Sequence, residues 1–130
     1  MIQTENHGKV SLSGIRANVL TADSQISRTQ TELAQLNAEL PDLATALDLA
    51  TANLIEPNGA VNDAQAVLDN AETDEAQTAL DEANAILAPF QSAYDEANNN
   101  YNSKLGEITG SESRLTGYQT SKTLWESYLG

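Results

Sequence analysis

The stretch from Leu33 to Leu54, LAQLNAELPDLATALDLATANL, decides the fold. Leu33, Leu36, Leu40, Leu43, Leu47, Ala50 and Leu54 follow one another at alternating steps of three and four. The same alternation runs back through Thr29, Ile26, Ala22 and Val19 to Ile15. An unbroken repeat of this kind is the a/d seam of a helix packed lengthwise against another helix. A second seam starts at Ala76 and passes through Leu80, Ala83, Leu87, Phe90, Tyr94, Ala97 and Tyr101. It continues through Lys104, Ile108, Ser111, Leu115, Tyr118, Lys122 and Trp125 to Leu129. The fold class expected is all-α, a long antiparallel helical hairpin or coiled coil with a shorter C-terminal helix and no β-sheet.

Boundaries follow from breakers and caps. Residues 1–10 have no periodicity and read as a flexible or extended arm. Ser11 or Ser13 can cap the first helix, expected over 11–55. Pro41 lies inside it and should kink rather than stop it, since the seam keeps its phase across Leu40 and Leu43. Glu56-Pro57-Asn58-Gly59 carries the strongest turn chemistry in the chain, so the reversal is placed at 56–59. The second helix is then expected over 60–105, and the glycine-containing 106–130 as a separate helical segment.

Two alternatives stay open. The first seam also runs on in phase through Val61, Ala64, Leu68 and Ala71, which would put the reversal at Asn70 to Glu75 and set Pro57 opposite Pro89. The seams could also be intermolecular, as in a parallel trimer. A short recurrence accompanies the repeat: Ala46-Leu47-Asp48-Leu49-Ala50 returns around Asp69, Asp81 and Asp95. Its irregular spacing reads as heptad bias in an Ala-rich helix, not as a solenoid.

Composition excludes much chemistry. Without cysteine there is no disulfide, thiolate ligand or cysteine nucleophile. One histidine, His7, cannot assemble a zinc site alone. Phosphate-binding, hydrolase and calcium-loop motifs are missing; from Asp69, Ala71 and Asp74 occupy positions where a calcium loop needs an oxygen ligand and a glycine. Asp81-Glu82 and Asp95-Glu96 are neighbours on an outer face, not a facing acid–base pair. The chain is expected to be no enzyme and to need no cofactor or metal. No signal peptide is expected, since Met1 to Val10 is polar, and no apolar run approaches the roughly 20 residues of a membrane span.

Charge is segregated. Between Thr29 and Ser103 lie fourteen Asp and Glu and no Lys or Arg. Every aromatic residue (Phe90, Tyr94, Tyr101, Tyr118, Trp125, Tyr128) follows Pro89. Nucleic-acid binding wants a basic stripe, the reverse of this block. As a DNA mimic the block is dilute, because a 65 Å duplex presents about 38 charges at one per roughly 1.7 Å. Lys104 and Lys122 sit on the seam, either as snorkelling stems or facing acid groups on a partner.

These features point to protein partners, including a homo-oligomer, and to no nucleic acid or membrane. The expected function is architectural: a helical adaptor, fibre or decoration component docked by its base into a larger symmetric assembly. The assembly that best fits the composition is a bacteriophage virion. Two alternatives are an acidic binding or inhibitory module of DNA-mimic type and a helical-hairpin component of a bacterial secretion or surface apparatus. The residues expected at the docking end are Arg16, Arg114, Tyr118, Lys122, Trp125 and Tyr128.

Overall fold

The computed structural model describes residues 11–129. The expected N-terminal arm, with His7, lies outside them. Helix accounts for 94% of the described residues, and no strand occurs among them. The elements are α1 (Leu12–Asn53), α2 (Ile55–Asn70) and α3 (Asp74–Ser127).

Ser11 caps α1, its Oγ accepting the Gly14 N–H at 3.0 Å. The helix passes through Pro41 without stopping. Pro41 lies on the exposed side, where the carbonyl it leaves without a donor can meet water. Threonine, a weak helix former, is accommodated because its hydroxyl bonds back to its own helix. Thr45 Oγ1 donates to the Pro41 carbonyl and Thr51 Oγ1 to that of Leu47.

The expected reversal at 56–59 is not there. Leu54 interrupts the helix for one residue, its N–H bonding the Thr51 carbonyl at 3.2 Å in a tighter turn. Helix resumes at once, with Pro57 in the first turn of α2. A first-turn proline forfeits no intrahelical bond, because the first N–H groups have no partner in the helix anyway. Gly59 follows inside α2 without the positive φ that an Asn-Gly turn needs. Pro57 itself is buried on the seam.

The chain reverses at Ala71–Thr73 instead. Ala71 is extended, with φ −151° and ψ 104°. The Thr73 N–H closes a tight turn onto the Ala71 carbonyl at 2.9 Å. Thr73 Oγ1 then accepts the Ala76 N–H at 3.1 Å and caps α3. Asp74 and Glu75 in the first turn of α3 complement the helix dipole. No proline or glycine is involved. The 60–105 and 106–130 segments are not separate either. Helix α3 runs through Gly106, Gly110 and Gly117, since one glycine costs about 1 kcal/mol against a long seam.

Two compact units divide the described residues: Glu39–Lys104, and 105–129 together with 11–38. In each, α3 packs antiparallel on the preceding helix. Lys104 meets Glu39 in the first unit and Ser111 meets Glu32 in the second. Two helices with a common rise therefore set residue i opposite roughly residue 143 − i. Pro41 lies across from the neighbourhood of Asn102. Pro57 falls near Ile86 and Leu54 near Pro89.

Burial follows the seam. Ile15, Ala22, Thr29, Ala50 and Pro57 are buried along the first arm, and Ala76, Leu80, Ala83, Ile108 and Ser111 along α3. Most seam leucines are only half-buried, as expected where two helices meet with no third layer.

Substitutions can locate both reversal and core. Thr73→Ala should cost about 1 kcal/mol through the lost cap. Gly59→Ala should be neutral or stabilise by about 0.5–1 kcal/mol, since a Cβ there meets nothing within 4 Å. Ile108→Ala should cost about 2–4 kcal/mol. Half-buried Leu36→Ala should cost less, and exposed Gln35→Ala stay within about 0.5 kcal/mol. Chemical denaturation measures all five. A clear loss at Gly59 with none at Thr73 would return the reversal to Pro57-Asn58-Gly59.

Candidate functional site

The unit holding both ends of the helices contains the residues expected to dock. Its core carries polar groups where a seam ordinarily carries leucine. Thr29 and Ser111 are both buried. Thr29 Oγ1 donates to the Gln25 carbonyl at 2.7 Å, which satisfies the hydroxyl within its own helix.

Ser111 is fully buried and crosses to the other helix, its Oγ donating to Glu32 Oε1 at 2.9 Å. Arg114, one turn on, folds back over this contact. Its Nη2 donates to Glu32 Oε1 and to Ser111 Oγ, each at 2.8 Å. Carboxylate, hydroxyl and guanidinium thus close a triangle in which a buried serine has both a donor and an acceptor. Gln25, Arg28, Thr29 and Tyr118 complete a polar depression of about 280 Å³ beside it.

Lys122 repeats the theme nearer the ends. Its Nζ lies 2.7 Å from Asp23 Oδ1. The hydrogen bond that Lys122 donates to Asp23, and then the Asp23 charge, hold the Lys122 ammonium above the ordinary lysine value; desolvation opposes this and Glu126 adds to it. In the other unit Lys104 Nζ approaches Glu39 Oε2 to 2.6 Å. These ion pairs are partly exposed, so solvent screens them and their contribution to stability is small. Their geometric role is larger than their energy. Each forms in one register only, as polar groups at seam positions do in coiled coils.

Acid groups therefore do face the seam lysines, and they stand on the chain's own first helix. Among the six residues expected at a docking end, Arg114 and Lys122 are committed internally. Tyr118 is half-buried beside the depression. Arg16 is exposed, with no ion pair among the described residues. Trp125 is half-buried and packs on exposed Tyr128, ring centroids 5.8 Å apart at 60°. Leu124 and Leu129 are exposed beside that pair in sequence. The structure keeps Trp125 and Tyr128 together at an open apolar surface. It pairs Arg114 and Lys122 instead with Glu32 and Asp23 on the facing helix. Asp23, Glu32 and Ser111 were not legible as partners, because a reversal at 56–59 sets other residues opposite them.

Among the described residues no group of His, Asp and Glu could hold a metal ion, and no helix is long and apolar enough to cross a membrane. No family model, curated protein or solved structure matches this chain.

The Lys122–Asp23 pair has a testable titration. A raised folded value means the pair's contribution is fully present below the ordinary lysine pKa of about 10.4 and is lost as pH rises through the folded value. Asp23→Asn should bring the Lys122 ammonium back toward the ordinary value, read by NMR of the lysine side chain. An unchanged titration would mean the pair does not form in solution.

Proposed function

We propose that this chain is a non-enzymatic helical component of a larger protein assembly, docked through the unit that holds the helix ends. The observation carrying this reading is the division of charge. Glu39–Lys104 has thirteen carboxylates and one lysine, net −12, whereas the rest of the chain has six carboxylates and five basic residues, net −1. A strongly negative surface repels its like and stays solvated. A near-neutral surface bearing exposed Tyr128, Leu124 and Leu129 beside Trp125 has the residue types that dominate protein interfaces.

Arg16, Trp125 and Tyr128 are the contact residues in this proposal. Arg114, Lys122 and Tyr118 act behind them, holding the register that presents that surface. Symmetric copies and a bacteriophage virion as the assembly are part of the proposal, resting on composition. The excess of carboxylates in Glu39–Lys104 favours a second reading, a soluble acidic module that captures a basic partner. A helical-hairpin component of a bacterial secretion or surface apparatus would use the same docking end and differ only in the assembly it joins.

Particle fractionation from the producing culture tests the proposal. The chain should band with particles in a density gradient. Trp125→Ala with Tyr128→Ala should reduce its incorporation at least about tenfold, the effect of losing an aromatic anchor worth about 1.4 kcal/mol or more. Neutralising Asp69, Asp81 and Asp95 to Asn should leave incorporation intact. If the neutral variants lose incorporation and the aromatic variant keeps it, the acidic module is the better reading.

A further inference from the structure

The two flanks of the seam in Glu39–Lys104 differ in chemistry. On one side the seven-residue spacing brings up Thr51, Asn58 and Gln65 from the first arm and Gln77, Asn84, Gln91 and Asn98 from α3. These are amides and a hydroxyl, and several already have partners. Gln65, Gln77 and Gln91 donate to Asp69, Asp81 and Asp95, each four residues on, at 2.9–3.1 Å.

The opposite flank carries Ala46, Asn53, Ala60 and Val67 from the first arm and Ala79, Ile86, Ala93 and Asn100 from α3. None of these is charged, although the unit is net −12. All are exposed, Val67 by 56% and Ile86 by 61%. Leu49, 61% exposed, and Phe90 join them at one end. There they line an open groove of about 340 Å³ floored by Ala46, Ala50, Ala93 and Ala97.

Two things specify the occupant. Alanines lining it let another backbone approach closely, while its openness suits a helix rather than a small molecule enclosed on most sides. The groove is also edged with negative charge. Glu96 lines it. Glu56, Asp63 and Glu82 hold the equivalent helix positions bordering the same flank, one heptad apart or two. A second copy of this unit would bring a like-charged edge against them. A helix with an apolar stripe bordered by Lys and Arg matches both floor and edge.

We propose that the uncharged flank of Glu39–Lys104 is a docking groove for a basic amphipathic helix of another protein. Apolar side chains of the incoming helix cover Leu49, Val67 and Ile86, and its basic residues meet Glu56, Asp63, Glu82 and Glu96. The proposal does not depend on the aromatic end of the other unit.

A designed helix of about three heptads, leucine at a and d and lysine elsewhere, serves as the probe. Full-length protein should bind the labelled probe in fluorescence anisotropy. A peptide of the same composition with leucines scrambled off one face should bind at least about tenfold more weakly, a difference of about 1.4 kcal/mol. Leu49→Gln with Ile86→Gln, both at exposed positions, should weaken binding of the designed helix by a similar factor. Ala46→Gln, which fills the floor, should do the same. Circular dichroism checks that each variant keeps its helix, and Gln35→Ala, exposed and outside Glu39–Lys104, should bind as the parent does. Equal binding of designed and scrambled peptides would reduce the effect to bulk charge and overturn the groove. So would self-association of the protein that Leu49→Gln abolishes, which would make a second copy the occupant.

Discussion

Everything in this structure depends on a hydrophobic repeat that keeps one phase from Ile15 to Leu68 and a matching repeat from Ala76 to Leu129. In this structure the two stripes are buried against each other, antiparallel because a three-residue reversal joins them. The constraint is strong enough to carry helix through Pro41 and Pro89, and through the glycines of α3. A local preference of about 1–3 kcal/mol at one residue is outweighed when obeying it would strand many seam positions in water.

Small seam residues and polar staples divide the work. Alanines at 22, 50, 76 and 83 bring the helices close but say little about register, since one alanine packs much like another. Register comes from groups that accept few partners: the Glu32–Ser111–Arg114 triangle, Lys122 on Asp23 and Lys104 on Glu39. These contacts are weak in energy and restrictive in geometry. A misregistered hairpin would bury Ser111 without Glu32, at a cost of about 1–3 kcal/mol for the unsatisfied hydroxyl.

The seams were legible residue by residue. Their positions are buried or half-buried along both arms, apart from Phe90 and Leu129, which stay more exposed. The reversal does not fall at Pro57-Asn58-Gly59 because that segment's turn chemistry has two structural uses. Proline is as suited to a first helical turn as to a β-turn, and Asn-Gly forces a turn only where positive φ is adopted. The unbroken phase through Val61, Ala64 and Leu68 was the better signal, because it sums over many side chains. The true reversal is a cap, Thr73 followed by Asp74 and Glu75, preceded by one extended alanine. Misplacing it hid the ion pairs: Lys104 and Lys122 stood out as charged seam residues, but Glu39 and Asp23 could be found only in the right register. The aromatic end was visible as composition and is retained as geometry.

The absence of cysteine makes pair labelling clean. Thr45 and Asn98 lie in one unit, on helices that the register places opposite each other. Spin labels at Thr45→Cys and Asn98→Cys, diluted with unlabelled protein, should report a separation within about 20 Å, set by neighbouring helix axes 8–10 Å apart plus the label arms. A reversal at Pro57-Asn58-Gly59 would slide the two labels roughly 28 residues out of register, about 42 Å at 1.5 Å per residue. The short distance, surviving dilution, is the result this account requires. The long distance, or a short one that vanishes on dilution, would contradict an intramolecular seam closed at Ala71–Thr73.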